Sequence, residues 1–196
     1  MNEEIKALVL AAGKGTRLQS EACRLPKVLR QANGRPLLDY VLSALDFLPR
    51  ENVILVVGYE KEAVLSAYPD YPWAVQEEQR GTGHAVRSAA GLLEGFAGHV
   101  LVCCGDAPLM RRETFRDLVK VHLDQGNDCT LLSAVLEEGG GYGRILRDGE
   151  GRFATIVEAR DCTPEQAAIR EVNVGAYVFR AAPLLSALSR LGCDNA

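Results

Sequence analysis

Leu8-Val9-Leu10-Ala11-Ala12-Gly13-Lys14-Gly15-Thr16-Arg17 is the stretch that decides how this chain is read. An apolar run from Ala7 to Ala12 leads straight into Gly-Lys-Gly-Thr-Arg, and Pro26-Lys27 follows. A run of this kind ending in glycines reads as a buried parallel strand that opens into a loop able to cradle phosphate. Glycines let backbone N–H groups come close to phosphate oxygens, and Lys14, Arg17 and Lys27 add positive charge. Two familiar phosphate loops are excluded. The Walker pattern needs four residues between its first Gly and Gly-Lys-Ser/Thr, and Gly13-Lys14-Gly15-Thr16 is too compact. The dinucleotide fingerprint fails because Leu18 stands where its third Gly belongs. The plainer alternative is a solvated glycine-rich turn after a core strand.

The 196 residues suit one domain with a real core. A hydrophobic fraction of 47% and a charged fraction of 24% are those of a soluble globular protein. The net charge of −4 gives no general pull toward nucleic acid or an anionic membrane, so any phosphate must be held by local basic residues. No run approaches the ~20 apolar residues of a membrane span, and the acidic start Met1-Asn2-Glu3-Glu4 is not a signal peptide. A cytoplasmic location is expected. Six cysteines without a Cys-x-x-Cys, and three histidines that do not cluster with them, argue against zinc and for a reducing compartment. Cys103, Cys104 and Cys129 lie in apolar stretches and read as small core residues.

Strand-like and helix-like runs alternate outward from the opening stretch. Ile5–Ala11, Asn52–Val57, Val100–Cys104 and Cys129–Val135 are short and rich in Val, Leu and Ile. Pro36–Leu45, Glu60–Ala67, Thr82–Leu93 and Arg112–Gln125 have helical spacing, and in the last Phe115, Leu118, Val119, His122 and Leu123 form one stripe. The alternation predicts an α/β fold: an open, mostly parallel sheet with helices on both faces. In such folds ligands sit beyond the carboxyl ends of the strands, which is where Gly13-Lys14-Gly15 and Gly105-Asp106 fall. After Leu136 the pattern changes. A glycine-rich turn, Glu137–Gly143, precedes strand-like Arg144–Arg147, Phe153–Glu158 and Glu171–Phe179, with Asp148-Gly149-Glu150-Gly151 as a hairpin turn. This predicts an antiparallel flap on the parallel core, followed by a last helical pattern over Pro183–Leu191.

Two clusters carry chemistry of their own. Asp106 ends an apolar strand, a place from which one carboxylate can hold Mg²⁺ together with substrate phosphates; a turn or N-cap Asp is the alternative. Gln76-Glu77-Glu78-Gln79-Arg80-Gly81-Thr82-Gly83-His84-Ala85 combines close-approach glycines with a Gln amide that can both donate and accept, which suits the edge of a pyrimidine. The alternative there is a surface loop with Thr82 as a helix N-cap.

With these residues in view, the sequence resembles the sugar-1-phosphate nucleotidyltransferases. The motifs that carry the likeness are Leu10–Arg17 with Pro26-Lys27-Val28-Leu29, Gln76…Gln79-x-Gly81-Thr82-Gly83-His84-Ala85, Gly105-Asp106-x-Pro108-Leu109, Gly141–Ile145, Ile156-Val157-Glu158 and Glu171-Val172-Asn173-x-Gly175. In this order, from about Ile5 to Phe179, they resemble the N-terminal uridylyltransferase domain of the bifunctional bacterial enzyme that makes UDP-N-acetylglucosamine. The resemblance implies a Rossmann-like sheet with a sugar-binding flap. It implies transfer of a uridylyl group from UTP to N-acetylglucosamine 1-phosphate for cell-wall (peptidoglycan) precursor synthesis. By the same resemblance, Leu10, Ala11, Ala12, Gly13 and Gly15 line the nucleotide, Gln76, Gly81 and Thr82 read uracil, and Arg17 and Lys27 hold the triphosphate as catalytic cations. Asp106 binds Mg²⁺, and Gly143, Glu158 and Asn173 hold the amino sugar. UTP and a sugar 1-phosphate are then the partners, without nucleic acid or membrane, and the oligomeric state is open.

Some positions depart from the family pattern. Leu18–Leu25 is about three residues longer than expected, Cys104 stands where Tyr is common, and Val174 stands where Thr is usual. The family's second Mg²⁺ ligand, an Asn, falls beyond Ala196, as does the hexapeptide-repeat acetyltransferase domain. The chain is therefore expected to be a single nucleotidyltransferase domain over 1–196, truncated at its C-terminal end, that binds nucleotide better than it turns over. Transfer to another sugar 1-phosphate, cytidylyl transfer, and a nucleotide-binding module without turnover are the competing readings.

Overall fold

The computed structural model describes residues 4–15 and 25–191. They fall into two compact units, one built from the segments up to Thr130 and from Tyr177 onward, the other from Leu131–Ala176. Two strands, Cys129–Val135 and Glu171–Arg180, pass from one unit into the other.

In the first unit, β1 (Ile5–Ala11) lies between β4 (Val53–Val57) and β6 (His99–Cys104) and is parallel to both. β5 (Trp73–Val75) adds to β4, also parallel. The last residues of β10 (Glu171–Arg180) pair antiparallel with β6, Tyr177 opposite Val102. β4 is Val-Ile-Leu-Val-Val with every residue buried, the continuous apolar run of a strand covered on both faces. Alternation sorts the two faces. Leu8, Ile54, Val56, Val100 and Val102 pack with Ala85, Val86, Leu93, Leu184 and Leu188. Those helical residues come from α3 (Thr82–Ser88), the 3₁₀ turn Ala90–Leu93 and α6 (Ala181–Ser189). The intervening Ala7, Val9, Leu55, Val57 and Leu101 face the opposite side and are buried, as are Leu38 and Val41 of α1 (Leu37–Ala44), Val64 of α2 (Lys61–Ala67) and Phe115 of α4 (Arg112–Gln125). Helices thus cover both faces, as the alternation predicts.

The stripe on α4 is buried at Phe115, Leu118, Val119 and His122. His122 is accommodated in the apolar interior because it has partners: His99 Nδ1 lies 2.9 Å from its Nε2 and Thr130 Oγ1 3.0 Å from its Nδ1. Several features differ from expectation. The helical run 82–93 breaks into α3 and a 3₁₀ turn. β5 and the small hairpin β2 (Gln31–Ala32) to β3 (Arg35–Pro36) are additional. Cys129, expected in the core, is exposed, whereas Cys103 is buried. No described helix is long and apolar enough to cross a membrane.

In the second unit, β8 (Arg144–Arg147) and β9 (Phe153–Val157) form the expected antiparallel hairpin, with a bulge at Leu146/Arg147. The start of β10 pairs with β8, Val172 opposite Arg144. β7 (Cys129–Val135) pairs with β10 and not with the parallel strands. Leu136 N–H donates to Arg170 O beyond its end, and Ser133 Oγ donates to Glu171. A short helix α5 (Pro164–Ala167) opens with a capping box in which Thr163 and Gln166 satisfy each other's backbone N–H.

Glu171 is gripped by Arg147 through two bonds, Nε to Oε2 at 2.8 Å and Nη2 to Oε1 at 2.7 Å. The hydrogen bond to Arg147 holds its carboxyl below the usual glutamate range, with Ser133 assisting. A depressed carboxyl contributes stability that is present above its unfolded pKa and lost as pH falls through the folded one. Glu171→Gln is therefore expected to lower the urea midpoint at neutral pH, with a difference from wild type that shrinks as pH drops below the ordinary glutamate range. Urea titrations at several pH values measure it; a pH-independent difference would assign the loss to packing rather than to charge.

Candidate active site

The carboxyl ends of β5, β4, β1 and β6 lie side by side because these strands run parallel. Backbone bonds fasten the loops that leave them. Gly105 N–H donates to Leu10 O at 2.9 Å, Gln76 N–H to Val57 O at 2.7 Å, and Tyr59 N–H to Ala12 O at 3.3 Å. Gly58 makes this convergence possible. A Cβ there would lie 2.9 Å from Ala12 Cβ and 3.0 Å from Gln76 O, closer than any side chain tolerates.

Over these ends opens a cavity of about 340 Å³. It gathers Leu10 from β1, Ala12 and Gly13 from the loop after it, Gln76 and Gly81 from the second loop, Thr82 from the start of α3, and Lys27 and Asp106. Eight of the residues singled out in the sequence thus share one space within the first unit. Ala11 is buried in the strand, and Gly15, left-handed at φ 67°, lies outside the cavity lining. Arg17 falls outside the described residues, as does most of the long segment Leu18–Leu25. Lys27 begins a 3₁₀ turn, Lys27–Leu29, and forms an ion pair with Asp106. Asp106 follows β6 in a turn and is not the cap of α4, whose N-cap is Arg111. Thr82 does not cap α3 either; it is the first helical residue after Gly81, whose φ of 92° only glycine adopts readily.

The second loop contributes more than its three expected residues. Gln79 lines the same cavity, and its Nε2 donates to Ala12 O at 2.7 Å, tying the loop to the end of β1. Gln76 is almost fully buried; its Nε2 donates to Gly81 O at 3.1 Å and lies 3.1 Å from His84 Nδ1. The spacing of Gln76, Gln79 and His84 was visible in the sequence, but nothing in it showed which of them would bond to backbone. Gly58 carried no sequence signal beyond being a glycine after a strand.

Asp106 offers a hard oxygen donor at the cavity edge, the kind of ligand Mg²⁺ takes together with phosphate oxygens. Cys104 also lines the cavity, but burial, aided by the Asp106 carboxylate, pushes its thiol up to about 11 while Lys27 works the other way. Asp106 is the one carboxylate among the described residues that line the cavity. The donor set therefore fits a hard cation.

The three expected sugar-site residues meet in the second unit. Asn173 N–H donates to Gly143 O at 2.8 Å, and Asn173 Oδ1 accepts from Gly175 N–H at 3.1 Å. A Cβ on Gly143 would sit 2.9 Å from Ile156 Cγ2 and 3.6 Å from Glu158 Oε1, so Gly143 is packed beside the end of β9. Arg144, next in the chain, is buried and donates to the carbonyls of Gly139, Gly140, Tyr142 and Ala167. Its guanidinium leaves no room for a side chain at position 139, where a Cβ would come within 2.5 Å of Cζ. The glycine run before β8 is thus shaped around a buried cation.

The bifunctional protein GlmU of Pelobacter propionicus is 46% identical over 99% of this chain and 42% of its own length. Those of Thermobifida fusca and Gloeobacter violaceus are 46% and 45% identical, over 40% and 42% of their lengths. The chain spans about two fifths of the length of these relatives. A crystal structure from Bacillus anthracis, assigned as a glucose-1-phosphate thymidylyltransferase in complex with a sucrose, superposes with a TM-score of 0.76 at 15% identity, covering 96% of this chain and 76% of that one, and so shares the fold. The MobA-like NTP transferase domain matches residues 7–193, and the chain belongs to that family.

Proposed function

We propose that this nucleotidyltransferase domain transfers a uridylyl group from UTP to N-acetylglucosamine 1-phosphate, releasing pyrophosphate and giving UDP-N-acetylglucosamine for cell-wall precursor synthesis. The observation that carries the reading is that one cavity of the first unit is lined by glycines of both loops together with Lys27 and Asp106. The likeness to proteins named GlmU over 96–100% of the chain supports it.

In this reading an oxygen of the sugar phosphate attacks the α-phosphorus of UTP, and the bond from that phosphorus to the β-phosphate oxygen breaks. Such transfers need alignment and charge neutralisation more than a side-chain nucleophile. Lys27 neutralises phosphate charge, together with Arg17 by resemblance. Leu10 and Ala11 at the end of β1, with Ala12, Gly13 and Gly15 of the loop that follows, line the nucleotide. Gln76, Gly81 and Thr82 meet the base, and Gly143, Glu158 and Asn173 hold the amino sugar. Asp106 would hold Mg²⁺, which when bound adds positive charge at the triphosphate.

Substrate choice is tested by calorimetry with each nucleoside triphosphate in Mg²⁺, and by pyrophosphate release with N-acetylglucosamine 1-phosphate and glucose 1-phosphate. UTP is expected to bind tightest, and the N-acetylated sugar to react fastest. Tighter binding of ATP or GTP removes the uridylyl assignment, and faster release with glucose 1-phosphate moves the sugar assignment.

Asp106→Asn keeps the shape of the side chain but loses its charge. Turnover is expected to fall by about 10²–10³, the scale of removing one electrostatic stabiliser of a transition state, with an unchanged circular dichroism spectrum. Retained activity with the wild-type Mg²⁺ dependence would leave Asp106 as a turn residue.

A further inference from the structure

We propose that His84 is a positioning residue that fixes the polarity of the Gln76 amide and so makes the cavity select a base presenting an N–H donor over one presenting a ring-nitrogen acceptor, that is, uracil over cytosine. The inference rests on the reading of Gln76 as a base-contacting residue given above.

A Gln side chain has two faces of opposite meaning, an NH₂ that only donates and an oxygen that only accepts. Exchanging them costs little unless neighbours hold the group in one sense. Here two neighbours do. Gly81 O, 3.1 Å from Gln76 Nε2, is a carbonyl and can only accept. His84 Nδ1, also 3.1 Å from Nε2, meets the second N–H as an acceptor when the imidazole is neutral and carries its proton on Nε2. With both N–H groups engaged, the amide atom left to meet a ligand in the cavity is the acceptor Oε1. Uracil carries a donor at its N3, which such an oxygen can receive; cytosine carries an acceptor there, which it opposes. Gln76 is almost fully buried, so an opposed pair of acceptors would go unsolvated and the mismatch would be felt in full. His84 does not itself line the cavity and acts only through Gln76.

The arrangement assigns different tasks to two neighbouring glutamines. Gln79 spends its amide on Ala12 O and holds the loop in place. Gln76 spends only its donors and keeps its acceptor for the base. His84 is what separates an amide held by one bond, still able to swing, from one held by two.

Calorimetric affinities for UTP and CTP are measured on the wild-type protein and on His84→Phe, His84→Asn and Gln76→Ala. The UTP-over-CTP ratio is expected to fall roughly tenfold in His84→Phe, about the worth of one buried hydrogen bond. His84→Asn, whose Oδ1 can accept in place of Nδ1, is expected to keep most of the ratio. A loss of affinity equal for both nucleotides, with the ratio unchanged, would mark a merely structural His84 and overturn the proposal alone. If the wild type binds no uridine nucleotide, or Gln76→Ala binds both nucleotides as the wild type does, the base-reading assignment fails and the proposal with it. A measurement on the wild-type protein stands independently of how the variants fold. Long-range ¹H–¹⁵N spectra at neutral pH are expected to show His84 as the Nε2–H tautomer, and a proton on Nδ1 overturns the assignment.

Discussion

The last carbonyls of the β1 segment are the fixed points from which the candidate site is hung. Leu10 O is taken by the Gly105 N–H, and Ala12 O by both the Tyr59 N–H and the Gln79 side chain. Each of these donors comes from a different loop. A buried carbonyl cannot be left unpaired without cost, so each loop is bound to the strand end at a defined place. Apolar residues on both faces of the sheet bury that strand. Hydrophobic burial builds the platform, and a few directional bonds at its rim place Asp106, Gln76 and Gly81 around one space.

Most of the platform was legible in the sequence because buried parallel strands have a strong signature. The runs at Ala7–Ala12 and Val53–Val57 are apolar throughout, and the α4 stripe repeats at helical spacing. The glycine-rich ends of such strands fall where ligands bind in these folds, and Gly13 and Asp106, read there from the sequence, line one cavity. The hairpin β8–β9 was legible from its turn residues. β5 was not, since three residues beginning with a half-exposed tryptophan show no period. The β2–β3 hairpin did carry a cue in Asn33-Gly34, both at positive φ, which is the preferred pair for a tight hairpin turn. Cys129 was misplaced because an apolar stretch names a strand but not which of its residues faces water.

The finer structure of the site was illegible for a different reason. Periodicity reports burial, whereas a hydrogen bond between side chain and backbone depends on where two loops end up in space. Gln79 and His84 stand in one motif with Gln76, yet only the folded chain shows that the first bonds to a carbonyl 67 residues away and the second to Gln76 itself. Gly58 is similar: its missing side chain matters only because Ala12 and Gln76 approach from elsewhere in the chain.

The buried Arg144 has a bearing on how the second unit responds to its medium. Its bonds run to four backbone carbonyls rather than to a carboxylate. Ion pairs elsewhere in that unit, among them Arg147 with Glu171 and Arg152 with Asp148, lie toward the surface, where dissolved salt screens them and acid discharges one partner. A guanidinium held by carbonyl dipoles away from solvent is reached by neither, because counter-ions do not enter and an arginine does not give up its proton. The loop that ends at Gly143 therefore keeps its shape across ionic strengths at which the charged rim of the same unit loosens.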